Sequence, residues 1–529
     1  MQAAPQAIGA PVLLWQRGGC YSSWCETGWY SSPAVADLNG DGAVEVIASA
    51  YSIVSLNGAT GALNWRVASG HDRSQPSASS VGRTWPGIIV ADVDSDGQWE
   101  IVTAHSGGYV SVYDRNGYFK PGWPVNIAGS NEFRGVSVYD LDGNGPQEVI
   151  ATAARGNAVN TWVFQSNGAI RSGWPQLSNS SGYAWGVYNA NASMGDLNGD
   201  GMGEIVVPSD VHYINAYTAG GVQLPANALY GGKGWGLVGV WESPTIEERG
   251  WGACDGTRAE SYRTNFADGA SVIADVNGDG TKEVVVSGNM YDCSTNPYTS
   301  KYDALYIFNA DRSHFNTGGY DWRTPPMDTG APLSEDYNVI ESAEPNPVVA
   351  DLDGDGKSEV LYSSYDGRLH AFWLDKTEHG AWPFSVYHAA DGYFQFASEP
   401  AVADLDNDGH AEVIFTTWTQ HGSNHTGKLY ILDYLGHVVQ SVDLPYAFPG
   451  SNNWDGAMAA PTLAYLNSSG NMDVVVNTAH SGFAAYEIPG TSNARLLWRT
   501  GRGNFQRNAL VPPRTLLPPR AYLPFVRRT

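Results

Sequence analysis

Apolar residues in this chain fall in short runs, each closed by polar or glycine-rich residues. Ser32-Pro-Ala-Val-Ala-Asp37 reads as a buried strand, Glu45-Val-Ile-Ala-Ser-Ala as a second, Ile53-Val-Ser-Leu-Asn57 as a third and Leu63-Asn-Trp65-Arg-Val as a fourth. Gly58-Ala-Thr-Gly61 makes the turn between the last two. No stretch holds the 3.6-residue period of an amphipathic helix, so the pattern predicts an all-β protein of many short strands. The four-strand unit recurs along the chain. Between its first and second strands lies a nine-residue acidic loop, and successive loops start 48 to 79 residues apart. That period exceeds most solenoid repeats and fits four-stranded units set radially about an axis, a β-propeller.

The loops place oxygen side chains at positions 1, 3, 5 and 9, with glycine at 6 and a carbonyl at 7. These five positions are Asp37, Asn39, Asp41, Ala43 and Glu45 in the first copy, and Asp92, Asp94, Asp96, Gln98 and Glu100 in the second. The third has Asp140, Asp142, Asn144, Pro146 and Glu148, and the fourth Asp196, Asn198, Asp200, Met202 and Glu204. Asp275, Asn277, Asp279, Thr281 and Glu283 form the fifth, and Asp351, Asp353, Asp355, Lys357 and Glu359 the sixth. Asp404, Asp406, Asp408, His410 and Glu412 form the seventh. A hard cation takes six to eight oxygen ligands, and alternate residues of a tight loop supply them, so the pattern predicts about seven Ca²⁺ sites. An EF-hand loop ends on its acid at position 12, in a helix; here the acid comes at 9 and β-prone residues follow. An eighth copy, Tyr465 to Asp473, keeps the phase and Gly470 but loses the acids at 1 and 5, and is expected to fold without metal.

The unit Ala-Val-Ala-Asp-Leu-Asn-Gly-Asp-Gly-x-x-Glu-Val resembles the FG-GAP/VCBS repeat of integrin-like β-propellers, over roughly residues 30–500. The resemblance implies a propeller with Ca²⁺ in its strand-to-strand loops. It leaves function open, because such propellers serve as adhesion modules, lectins and scaffolds, and some occur in polysaccharide lyases.

Eight units predict eight blades, with seven plus an irregular unit as the alternative. The division is an N-terminal segment over 1–28, a propeller over 29–500 and an Arg/Pro-rich tail over 501–529. Pro11-Val-Leu-Leu-Trp15 resembles an outer strand and is a candidate to close the ring in the last blade; Leu496-Leu-Trp498 would then lie elsewhere. The tail holds six arginines and no acid, and reads as an extended segment: a disordered terminus, an arm that docks on an acidic body in its own chain or a neighbour's, or a sorting or anchoring signal.

Net charge is −25, and the seven intact loops hold 24 of the 54 acidic residues, so the acidity belongs largely to the loops. No basic stripe marks the body, which argues against nucleic acid, and no apolar stretch is long enough to span a membrane. Cys20 with Cys25 and Cys254 with Cys293 are plausible disulfide pairs, which suits a secreted protein. The first residues lack the charged start and apolar core of a secretion signal and read as a mature start.

Loops between blades open on the face opposite the acidic loops, and aromatics precede the inner strands there. Trp29, Trp85, Phe133, Trp185, Phe266, Phe394 and Trp454 are candidates to ring the channel mouth and stack on sugar or peptide, against the alternative of packing between blades. Trp235, Trp241 and Trp251, in a glycine-rich insertion, are further candidates. There is no Gly-x-Ser-x-Gly, no His-Glu-x-x-His and no P-loop. Among the carboxylates outside the loops (Glu247, Glu248, Asp255, Glu260, Glu335, Asp336, Glu341 and Glu344), the pair Glu341 and Glu344 is the best candidate for acid–base work. The expected function is a secreted, non-catalytic adhesion, ligand-binding or surface-assembly protein, with glycan or protein as partner. The alternatives are a lyase or hydrolase on acidic polysaccharide and a structural subunit assembled through residues 501–529.

Overall fold

The computed structural model describes the chain apart from residues 1–6, 21–25, 27, 29, 128–131, 155–158, 177–191, 210–211, 242–243, 249–261, 267–268, 293–298, 335, 337–338, 340–345, 449–453 and 512–529. Eight antiparallel blades surround one axis. Blade 1 runs outward through Ala34–Ala36, Glu45–Ser49, Ser52–Asn57 and Leu63–Ala68. The inner strands of the next six are Ile89–Ala91, Phe133–Tyr139, Ser193–Gly195, Ser271–Ala274, Val348–Ala350 and Ala401–Asp404; that of blade 8 is Thr462–Ala464. In blades 3 and 4 the fourth strand shrinks to isolated bridges, Thr161 to Gln176 and Tyr217 to Gln223. Blade 5 is elongated: its second and third strands, Glu283–Asp292 and Thr299–Asn309, extend far enough to pair an extra strand, Tyr262–Asn265. Among the described residues α-helix is confined to the turn Pro244–Glu248 and to Val339.

Both strand faces of a blade meet another blade, so the second and third strands are buried along nearly their whole length rather than on alternate residues. One apolar cluster joins blades 2 and 3 through Ile89, Val102, Val136 and Val149; another joins 3 and 4 through Ile150, Val163, Met194 and Ile205. A tryptophan repeats across these joints. Its indole N–H donates to a carbonyl in the third turn of the next blade: Trp123 to Ser166, Trp174 to Ala219, Trp322 to Leu374 and Trp382 to Tyr434, at 2.8 to 3.0 Å. The buried indole is thereby packed and its one donor satisfied.

The last joint is closed by the beginning of the chain. Val12–Gly18 pairs antiparallel with Gly482–Ile488 as the fourth strand of blade 8. Trp15 repeats the indole device there, donating to Gly58 O of blade 1 at 2.7 Å. Gly61 lies under its ring with φ +66°, and a Cβ there would come within 2.6 Å of the indole. Arg495–Trp498, which the sequence placed at the end of the last unit, pairs instead with the inner strand of blade 7, Ala401–Asp404. The fourth-strand position of blade 8 is already taken by the N-terminal strand.

Trp15→Ala removes a large buried side chain and the closing hydrogen bond together. It is expected to lower stability by about 3–5 kcal/mol, read as a lower denaturant midpoint. Trp15→Phe, which keeps most of the packing, should lose much less.

Candidate functional sites: acidic loops and axial mouth

The loops fold alike. In each of the seven, the position-1 aspartate accepts through Oδ2 from the N–H of position 6, from Gly42 on Asp37 at 2.8 Å to Gly356 on Asp351 at 3.3 Å. Position 6 has positive φ in every copy, as expected of glycine. Position 4 does too, in Gly40, Gly143, Gly199, Gly278 and Gly354, and also in Ser95 and Asn407. The N–H of position 7 donates to the position-5 carboxylate in six loops, as Ala43 to Asp41 at 2.8 Å. Pro146 has no N–H, so the third loop lacks that bond.

Position 9 is the glutamate at the base of each loop. All seven are buried, from 1 to 6 % exposed. One oxygen of each accepts from the N–H of the apolar residue at position 2: Leu38, Val93, Leu141, Leu197, Val276, Leu352 and Leu405, at 2.6 to 3.1 Å. Burial pushes Glu359 and Glu412 up to about 8, Glu100 and Glu283 to about 7 and Glu204 to about 6. Neighbouring aspartates add to the rise in Glu359 and Glu412. A cation among these oxygens would oppose it.

In the second, third, sixth and seventh loops three carboxylates bring oxygens within 4.8 Å of one another. The first, fourth and fifth have Asn39, Asn198 and Asn277 at position 3, whose amide oxygens accept from the N–H of position 5. The donor set is therefore all oxygen and fits a hard cation. Four loops also receive a cation from the chain: the sixth from Lys357, 2.7 Å from Asp355, the seventh from Arg495, 3.5 Å from Asp404, and the second and third from residues further along their blades. Lys120 Nζ lies 2.7, 3.1 and 3.0 Å from Asp94, Asp96 and Glu100. Arg171 reaches Asp142 and Glu148 at 2.9 and 2.5 Å. In the eighth loop Asp473 takes the place of the glutamate, accepting from Leu466 N at 2.7 Å, and the Asn467 and Asn471 amides donate to Glu487.

The opposite face holds the axial mouth. An open pocket there is lined by residues just before or at the start of inner strands, among them Tyr30, Trp85, Arg134, Asn346 and Glu399, and by Arg502 and Arg507. Trp85 is held between cations: the Arg83 and Arg134 guanidinium carbons lie 3.9 and 4.1 Å from its ring centroid, and Tyr30 packs at 3.9 Å. Glu132 bonds Arg134 at 2.7 Å and lies 3.9 Å from Arg83.

The floor of this pocket is the segment expected to begin a docking arm. After leaving blade 7, residues 499–511 run inside the ring. Arg499 O accepts from Leu463 N of blade 8, Phe505 O from Val90 N of blade 2 and Gln506 O from Val138 N of blade 3. Asn508 O accepts from Met194 N of blade 4 and Ala509 O from Ile273 N of blade 5, at 2.8 to 3.2 Å for the set. Arg507, 1 % exposed, uses all five guanidinium N–H groups: Ile88 O, Thr500 Oγ1, Gly501 O, Ser32 O and Pro33 O accept at 2.6 to 3.0 Å. Glu399 anchors the start of the segment, accepting from Trp498 Nε1 at 3.1 Å and Arg502 N at 2.7 Å. The compositional break at residue 501 is thus no structural boundary, and 501–511 belong to the ring; 512–529 lie outside the described residues.

Of the candidate aromatics, Trp85 lies at the mouth but is only 5 % exposed, its ring covered by Arg83, Arg134 and Tyr30. Trp235, Trp241 and Trp454 are 0, 2 and 3 % exposed, and Phe133 and Phe266 are fully buried. Trp235 and Trp241 pack inside the blade 4 and 5 region rather than forming an open platform, since a ring with no free face cannot stack on a ligand. Phe394 is half-buried against Tyr387. Trp29, Trp185, Trp251, Asp255, Glu260, Glu335, Glu341 and Glu344 lie outside the described residues, as do Cys25, Cys254 and Cys293; Cys20 is not a free thiol. Glu247 is buried and paired with His314 at 2.7 Å and Arg312 at 3.5 Å, a structural role.

Fold and loops define an eight-bladed β-propeller with an acidic strand-to-strand loop in its repeating unit. Residues 92–151 and 351–415 match the model of the FG-GAP-like repeat, and the chain carries these repeats as the resemblance implied. Among solved structures it is similar to exotype rhamnogalacturonan lyase YesX, at 14 % identity over 91 % of this chain and 76 % of that one, with a TM-score of 0.50. It is also similar to the V. cholerae biofilm matrix protein Bap1, at 14 % identity over 96 % of each chain, with a TM-score of 0.40. At such identities the likeness concerns the fold alone. No curated protein matches the chain.

Arg507→Ala would remove hydrogen bonds to buried carbonyls of blades 1 and 2 and of the axial segment itself. It is expected to cost about 3–5 kcal/mol, seen as a clear drop in melting temperature. Truncation after residue 511 should leave that temperature nearly unchanged, whereas truncation after 494 should lower it as far as Arg507→Ala or further.

Proposed function

We propose that the protein is an extracellular, Ca²⁺-stapled propeller that binds an acidic glycan, without catalysis, at its axial mouth. The observation that carries this is the Arg83–Trp85–Arg134 stack beside Tyr30. In a chain of net charge −25 it gathers two cations at one opening, away from the acidic loops. Trp85 and Tyr30, 5 and 8 % exposed, serve to hold the guanidinium groups in place, and guanidinium groups suit the carboxylates of uronates. The blades fix both, so little ordering is needed on binding. No helix among the described residues is long and apolar enough to cross a membrane.

A glycan array in millimolar Ca²⁺ is expected to show binding to uronate-containing glycans, weakened at least roughly tenfold in Arg83→Ala/Arg134→Ala. Binding unchanged in that variant, or none at all, overturns the reading. Unsaturated products appearing in pectic polymer, followed by ultraviolet absorbance, would replace it with a lyase.

Ca²⁺ serves the scaffold in this reading. The position-9 glutamates have folded pKa values above the ordinary 4.5, so the metal-free native state holds more protons than the unfolded chain. Its stability is fullest below about pH 4.5 as far as these groups are concerned, and falls as pH rises toward 8. Ca²⁺ binds the deprotonated loops and offsets that loss. The gain in melting temperature between chelator and millimolar Ca²⁺ should therefore be larger at pH 8 than at pH 5.5. An equal gain at both, or none, contradicts the assignment.

A further inference from the structure

A second group of carboxylates, unrelated to the acidic loops, lies between blades 5 and 6. Asp328 belongs to the outer strand Met327–Asp328 of blade 5, and Asp303 faces it from Thr299–Asn309. Asp366 sits in the turn before Arg368–Phe372 of blade 6, the strand that carries His370. Asp303, Asp328, Asp366 and His370 are all buried, at 0, 7, 4 and 4 % exposed.

The imidazole is fixed in position. Its ring stacks on Tyr362, with centroids 5.2 Å apart and planes 16° from parallel, and lies beside Phe372. Nδ1 is 3.1 Å from Glu378 Oε1. A carboxylate only accepts, so Nδ1 carries a proton; Nε2 faces inward, with a lone pair in the neutral ring or a second proton in the imidazolium. Nε2 has no hydrogen-bond partner within normal distance, yet it stands 3.5 Å from both Asp328 Oδ2 and Asp366 Oδ2. The two carboxylates call for a positive charge at that point, a proton on Nε2 or a metal ion.

The spacing suits a metal ion. Two ligands each about 2.1 Å from a tetrahedral ion lie roughly 3.4 Å apart. One oxygen from each of Asp328 and Asp366 and the His370 nitrogen lie within 4.8 Å of one another. A carboxylate on the far nitrogen of a ligating histidine is the usual means of orienting it. The neighbouring charges leave room for a cation: four carboxylates, Asp303, Asp328, Asp366 and Glu378, face one imidazole and the Arg368 guanidinium, whose Nε is 2.9 Å from Asp366 Oδ2. Asp303 Oδ1 is buried without a hydrogen-bond partner, while its Oδ2 shares the Ser364 hydroxyl with Asp328.

We propose that Asp328, Asp366 and His370 form a site for a first-row divalent cation of the Zn²⁺ type, pinning blade 5 to blade 6. The imidazole separates it from the all-oxygen Ca²⁺ loops. The test is a Co²⁺ titration of the chelator-stripped full chain in millimolar Ca²⁺, which fills the loops. A visible absorption band that saturates near one equivalent and is displaced by Zn²⁺ is expected. His370→Asn and, independently, the near-isosteric Asp366→Asn should abolish it, and His437→Asn on an exposed turn of blade 7 should leave it intact. Absence of the band in the unaltered protein overturns the proposal and makes His370 an imidazolium paired with the carboxylates. So does a band that survives His370→Asn.

Discussion

A ring of blades has a problem that a closed barrel avoids: every innermost strand presents one unpaired edge to the axis. Eight rows of N–H and C=O groups converge on a narrow space, where leaving them unpaired is costly. This chain meets that constraint with its own residues. Arg495–Trp498 pairs with blade 7, and the next dozen residues offer carbonyls to blades 8, 2, 3, 4 and 5 in turn. Arg507 reaches blade 1 through Ser32 O and Pro33 O. A segment that follows a ring must turn continually, which explains positive φ at Arg502, Gly503, Arg507 and Ala509 within so few residues. The floor of the mouth, the burial of Glu399 and the position of Trp498 all depend on this one arrangement.

The acidic loops meet a local form of the same demand. Each buries a glutamate to satisfy the N–H at position 2, which leaves a raised pKa and a second oxygen. Lys120 and Arg171 answer the charge in two blades, and the asparagine amides beside Glu487 avoid it in the eighth. Three devices keep one turn in shape, so the geometry of the loop is more constant than its chemistry.

Much of this was legible in the sequence because it is local. The spacing at positions 1, 3, 5 and 9 gave the loops, and the apolar runs beside them gave the strands and the count of eight. Trp15 was recognisable as an outer-strand residue without a blade of its own. The apolar residue at position 2 was equally visible, but its purpose was not, since its N–H finds the glutamate only after the loop closes. Lys120 and Arg171 stand 20 and 23 residues beyond the glutamates they meet, and only the blade's fold brings them back. Residues 501–511 misled because they share the arginine-rich, acid-free composition of the proline-rich stretch that follows them. Nothing local tells that eight strand edges need what it carries. Trp235 and Trp241 misled in the opposite sense, as glycine-rich surroundings suggested exposure where the glycines permit close packing.

The clasp between Val12–Gly18 and Gly482–Ile488 bears on how the molecule is made. A stack of repeats can stop at any length, since each unit touches only its neighbours. Here the first strand has no partner until blade 8 has left the ribosome, and the axis is filled later still. Until then a first blade with an open flank and a last blade lacking its outer strand coexist, each with a bare edge that another molecule's strand fits. The interval between synthesis of Trp15 and arrival of Phe483 is therefore when the chain is most exposed to exchanging strands with a neighbour, and fast closure favours the monomeric ring.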